Sequence, residues 1–204
     1  RETGRLLARG LFSTVTNVNF DDEPLIRLVH ETMDARDKLA EKAGISPSLP
    51  VAAFVPAKER DELLAQVASF TTLHFAKHPD INSLAQTLLF GLKGTAAYTD
   101  HAAVLGYEKP ELYAGLYKGL AFGFDGADPG LEDWIGAVLD CGKTNFMAME
   151  LLDAANTGVY GNPEPTEVSL APREGQAILI TGHDLKDLHD LLEQSAGKGG
   201  NLYP

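Results

Sequence analysis

The sequence predicts a mainly α protein: a helical bundle domain followed by the first strand–turn–helix of a Rossmann-like α/β domain. Three observations carry this reading. Apolar residues recur at three-to-four spacing from the first residues to about 155, the period of an amphipathic helix. Gly161-Asn162-Pro163-Glu164-Pro165 then interrupts the pattern with too much proline for a helix interior. Beyond it, the β-branched run Ile178 to Ile180 stops at Thr181-Gly182, and Leu185, Leu188, Leu191 and Leu192 resume helical spacing. The organisation expected is a helical domain over 1–157, a linker over 158–166 and the incomplete start of an α/β domain over 167–204.

Taken in order, Leu6, Leu7, Gly10, Leu11 and Phe12 begin a helical stripe expected to reach Val15 and Val18, with Asp21-Asp22 and Pro24 as punctuation. Leu25, Leu28, Val29, Met33 and Ala40 form the next stripe, which Gly44 and Pro47 end. A Pro- and Ala-rich loop, about 45–57, leads to Leu63, Leu64, Val67 and Phe70. Pro79-Asp80 opens what is expected to be the longest helix, from Ile81 to about Leu105, closed by Gly106. Shorter helices are expected at 111–124 and 131–155. Short connections between them make a helical bundle the economical architecture. Val168 and Leu170, then 177–180, read as strands.

Composition restricts the function classes. Hydrophobic residues are 44% and charged residues 23%, values of an ordinary globular chain long enough to bury a core. A net charge of -12 argues against a nucleic-acid surface, which needs clustered Lys and Arg. No apolar run approaches a membrane span and no signal-peptide pattern is present, so a cytoplasmic location without membrane partners is expected. The single cysteine forbids an internal disulfide framework.

The residue types that carry chemistry are few. His183 follows the expected strand at its carboxyl end, where open α/β sheets gather ligands. A histidine there can be a metal ligand, an acid–base group or a hydrogen-bonded turn residue. Asp184 or Thr181 can cap the helix that follows. Cys141, near Val138, Leu139 and Met149, is assigned to an apolar helical stripe as a small hydrophobe. His74 and His78 are four apart, a metal-compatible spacing, but they lack a third ligand in a fixed pattern, and Pro79 favours a helix end there. Asp100-His101 is read as a hydrogen-bonded pair, and Gly91 and Gly94 as sites of close helix packing. His189 is expected to face solvent, with Glu193 and Gln194 on a polar face.

The wording of four ordered blocks adds to this. They are Leu11-Phe-Ser-Thr-Val-Thr-Asn-Val-Asn-Phe-Asp21; Leu89-Phe-Gly-Leu-Lys-Gly-Thr-Ala-Ala-Tyr98 with His101-Ala and Val104-Leu-Gly106; Asn145-Phe146 through Leu151-Leu-Asp-Ala154; and Thr181-Gly-His-Asp-Leu-Lys-Asp-Leu188. Leu191-Leu-Glu-Gln194, Gly197-Lys-Gly199 and Asn201-Leu-Tyr203 extend the last block. Together they resemble the hybrid cluster proteins, also called prismane proteins or hydroxylamine reductases, over nearly the whole chain.

That resemblance implies two iron–sulfur centres in the intact protein: a cubane held by four cysteines near the amino terminus, and a hybrid iron–sulfur–oxygen cluster held by His, Glu and Cys. His183 matches the hybrid-cluster histidine, with Asp184 placed to orient its imidazole. The next ligand, a glutamate after the Asn-x-Tyr segment, would lie beyond Pro204. Tyr98, Lys93 and Asn17 fall in the recognisable blocks and could line a route to the cluster. The activity implied is reduction of hydroxylamine to ammonia, of nitric oxide, or both, under nitrosative stress. The implied partners are a small nitrogen–oxygen substrate, an electron-donor redox protein and the missing domains of the same polypeptide. One cysteine cannot hold a cubane, so the chain is expected to be an internal piece that by itself retains neither cluster and is inactive. A non-catalytic helical scaffold, or a carbon monoxide dehydrogenase relative, is the alternative.

Overall fold

Three-to-four apolar spacing becomes helix in six places before residue 161 among the described residues, and strand appears only after it. The computed structural model describes residues 1–15, 20–46, 52–68, 78–124 and 128–203. Two compact units result, Arg1–Asp153 and Ala154–Pro204.

The first unit holds α1 (Glu2–Phe12), α2 (Glu23–Ala43), α3 (Arg60–Val67), α4 (Pro79–Val104), α5 (Pro110–Ala121) and most of α6 (Leu131–Tyr160). Helix α1 stops short of the expected Val15, which lies in a turn and is exposed. The Ser13 hydroxyl donates to the Gly10 carbonyl at 2.8 Å and that of Thr14 to the Leu11 carbonyl at 2.8 Å. These local bonds compete with continued helix. Val18, Pro47 and Phe70 lie outside the described residues. Helix α2 ends at Gly44, whose φ of 65° permits the left-handed turn in which the Ile45 N–H reaches the Ala40 carbonyl at 3.0 Å. Of the stripe expected in α3, Leu63 is buried whereas Leu64 and Val67 are exposed.

His78 caps α4, its Nδ1 accepting the Asp80 N–H at 3.2 Å, with Pro79 in the first turn. Gly106, at φ 88°, closes the far end. At 26 residues α4 is not the longest helix as expected; α6 has 30. Helix α5 stops at Ala121 instead of continuing to Phe124: Phe122 turns extended and sets its ring edge-on to Trp134, centroids 4.8 Å apart, and Gly123 takes a left-handed φ of 79°. Helix α6 runs five residues beyond the expected Ala155 before Gly161 breaks it at φ 84°.

The core joins Ala8 of α1, Leu88, Leu92 and Ala96 of α4, Tyr113 and Leu116 of α5, and Trp134 and Cys141 of α6. Glycine allows the helices to meet closely. A Cβ on Gly115 would stand 2.5 Å from Thr144 Cγ2, and one on Gly119 2.5 Å from Leu92 Cδ2. Gly91 is likewise pressed on the Cys141 sulfur, at 3.0 Å from its would-be Cβ, as close packing requires. Gly94 is not: a Cβ there meets nothing within 4 Å, so the packing role expected of it is absent. A line of hydroxyls lies within this packing. Thr95 Oγ1 donates to the Gly91 carbonyl at 2.9 Å and lies 3.3 Å from Asn145 Oδ1, and Thr99 Oγ1 donates to the Thr95 carbonyl at 2.8 Å. Back-bonding of this kind lets a threonine sit buried in a helix without an orphaned donor.

In the second unit, β1 (Ala177–Leu179), α7 (Leu185–Ser195) and β2 (Asn201–Tyr203) form a β–α–β element with parallel strands. Val168 and Leu170, expected as strand, are not; they are 75% and 97% exposed. Pro163, Pro165 and Pro172 flank them without ladder donors, and the described sheet consists of β1 and β2 alone.

Candidate metal centre

The parallel register pairs Ala177 with Asn201, Ile178 with Leu202 and Leu179 with Tyr203. The Ile180 N–H extends the ladder to the Tyr203 carbonyl at 2.8 Å. Both strands therefore run to the same edge, and at that edge the chain turns through Thr181 and Gly182, whose φ of 155° suits glycine, to His183. The cap alternative is resolved: Asp184 caps α7, its Oδ1 accepting the Lys186 N–H at 2.8 Å. His183 is thus held between a strand end and a capped helix start, and it is exposed.

Two side chains to which the sequence assigned no role brace the loop before β1. Asn201 Nδ2 donates to the Glu174 carbonyl at 3.1 Å, and the Tyr203 hydroxyl accepts the Arg173 N–H at 2.7 Å. The sequence marked both only as members of the Asn201-Leu-Tyr203 block, and their i, i+2 spacing puts them on one face of a strand.

On α7, His189 is exposed as expected, with its Nε2 3.2 Å from Glu193 Oε1 and its ring 5.8 Å from that of Tyr160. Donor atoms of His189, Asp190 and Glu193 lie within 4.8 Å of one another, but both Asp190 oxygens accept from the Lys186 ammonium.

The remaining candidates belong to the first unit. His78 is committed to its cap and His74 lies outside the described residues, as does Asn17. The His101 ring packs edge-on to Phe12 at 4.9 Å, and burial pushes the neighbouring Asp100 carboxyl up against the pull of His101, Arg9 and Arg5. Lys93 lies over the Phe90 ring at 5.4 Å, and Tyr98 is exposed at the helix surface. Cys141 is buried, and burial pushes its thiol up, opposed by Thr95. Of the neighbours expected on its stripe, Val138 packs against the core, whereas Leu139 and Met149 are 62% and 49% exposed. The buried stripe of Cys141 also holds Trp134, Thr144, Ala148 and Leu151.

A charged cluster also escaped notice in the sequence. Glu108 Oε1 accepts from Arg1 Nη2 at 2.6 Å, and its Oε2 accepts the Tyr113 hydroxyl at 2.8 Å. The Arg1 bond leads in holding the Glu108 carboxyl at about 2, while burial and the bond to Glu108 push the Tyr113 phenol up.

The chain thus has a helical unit and a parallel β–α–β element, with an exposed histidine at the strands' shared carboxyl edge, the end at which open α/β sheets gather ligands. The chain matches the model of the Prismane/CO dehydrogenase family over residues 1–203 and belongs to that family. It is 51% identical to the hydroxylamine reductase of Solidesulfovibrio magneticus over 99% of this chain and 38% of that protein. It is 48% identical to that of Maridesulfovibrio salexigens (99% and 37%) and 49% identical to that of Syntrophobacter fumaroxidans (99% and 38%). The chain thus spans little more than a third of the relatives it matches. No helix among the described residues is long and apolar enough to cross a membrane.

Proposed function

We propose that this chain is part of a cytoplasmic iron–sulfur oxidoreductase that reduces hydroxylamine to ammonia, nitric oxide, or both, and that His183 is an iron ligand of its hybrid cluster. Relatives named hydroxylamine reductase, matched along nearly all of this chain, support the activity. Residues 1–157 would be its helical domain, 158–166 a linker, and 167–204 the opening of the cluster-binding α/β domain.

The observation that carries the site is the placement of His183: an exposed imidazole where two parallel strands end together. Imidazole suits iron, and a ligand hung between a strand end and a capped helix is held by rigid elements. Among the described residues, the donor chemistry at this edge fits one vertex of a centre. The single thiol, Cys141, is buried in the helical core with its ionisation suppressed, so it does not fit the cubane. The other ligands belong to the rest of the polypeptide. When bound, the cluster supplies the iron position at which the nitrogen–oxygen compound is reduced. The chain's own part is to hold and orient the imidazole. Asp184 spends one oxygen on the helix cap and so fixes the backbone that carries His183, and orienting the ring is the role proposed for it. An electron-donor protein and the remaining domains are the partners this reading requires.

Replacing His183 with alanine in the full-length protein tests the assignment. Loss of the hybrid-cluster signal in low-temperature spectra, with the cubane signal retained, is expected. Equal loss of both centres would make His183 a folding residue, and no loss of either would remove it from the ligand set.

A further inference from the structure

Within this chain, the element that carries His183 has little burial to fix its register. Its two strands pair over three residues, and all of β1 is exposed, Ile178 at 50% and Leu179 at 83%. Where neither face of a strand is buried, the apolar pattern specifies register weakly. A slip of one residue would displace the strand by about 3.3 Å along its axis. Metal ligation tolerates errors of only about 0.2 Å in ligand distance. Within this chain, hydrogen bonds and not burial therefore set the height of the imidazole above β2.

The bonds described above do this. Asn201 contributes twice: its backbone N–H donates to the Gln176 carbonyl at 2.8 Å, and its side-chain amide donates to Glu174 at 3.1 Å and more distantly to Gln176 at 3.5 Å. Two residues on, the Tyr203 hydroxyl accepts the Arg173 N–H at 2.7 Å. Both side chains leave β2 on one face and grip the segment that enters β1. We propose that Asn201 and Tyr203 are positioning residues for His183, locking β1 to β2 in one register and so fixing where the imidazole stands. The proposal rests on the reading of His183 as an iron ligand.

The test uses the full-length, iron-loaded protein with Tyr203→Phe, which keeps the ring, and Asn201→Asp, which keeps the size but loses the amide donor; His183→Ala is the control. Hydrogen exchange at the Arg173 and Ile180 amides reports the register lock, and low-temperature spectra with iron counting report each centre. The expected result is exchange roughly two- to tenfold faster at those amides. The His-held centre should bind iron roughly 10- to 100-fold more weakly, with the cubane signal unchanged. Faster exchange with an unaltered centre would leave the pair merely structural and overturn the proposal, as would no change in either readout. If His183→Ala removes the centre but neither variant affects it, only the positioning role falls. If His183→Ala also leaves the centre intact, the ligand assignment falls and this proposal with it.

Discussion

At the residue scale, two side chains show how position changes chemistry. Cys141 carries a reactive group, but burial in the core, against Gly91, pushes its thiol up and disfavours the thiolate. Glu108 shows the opposite: Arg1 and Tyr113 hold it ionised down to about 2. Its folded value lies below the ordinary 4.5, so its contribution to stability is fully present above about pH 4.5 and is lost as pH falls toward 2. The urea midpoint of the wild type should therefore drop through that window, and Glu108→Gln should flatten the drop measurably. A parallel fall in both proteins would mean that other carboxylates dominate the acid sensitivity. None of this was legible in the sequence, since Arg1 and Glu108 are 107 residues apart. His183 was legible, because strand, glycine, histidine and cap follow one another within a few residues.

At the scale of elements, the same residue type has opposite consequences in neighbouring helices. Gly115 lies against Thr144, so a methyl group there must displace a packed side chain. Gly115→Ala should destabilise by about 1–3 kcal/mol in chemical denaturation. Gly94 is in mid-helix with open space beside it, and Gly94→Ala should stabilise by roughly 0.5–1 kcal/mol. Equal effects of the two variants would refute the packing described for α5 and α6. Sequence spacing marked both helices but not their inward faces. Helix α6 is apolar on more than one side, with Ile135, Leu139 and Phe146 exposed while Trp134, Cys141 and Ala148 are buried. The end of α5 is set by the extended Phe122, packed on Trp134, and by Gly123 at φ 79°, a breaker that the apolar period passed over.

At the scale of the whole molecule, the two units differ in what holds them. Helices α4, α5 and α6 share a buried core, whereas β1 and β2 form a two-stranded sheet that is marginal without neighbours. Amides of Leu88 to Ala103 should exchange at least about a hundredfold more slowly than those of Ile178 to Ile180 in this chain by itself. Similar protection in both would show that the β–α–β element is stable unaided. By itself the sequence determined that the chain is mainly helical, that strands come late, that a histidine stands at a strand end, and which family the wording resembles. These are properties of short windows, where period, capping and turn chemistry act between near neighbours. Only the tertiary structure decided which face of α6 turns inward, that Val168 and Leu170 find no strand partner, and that Asn201 and Tyr203 reach back 27 and 30 residues to brace the entry to β1. Those outcomes depend on which groups meet across space, and no local period encodes that.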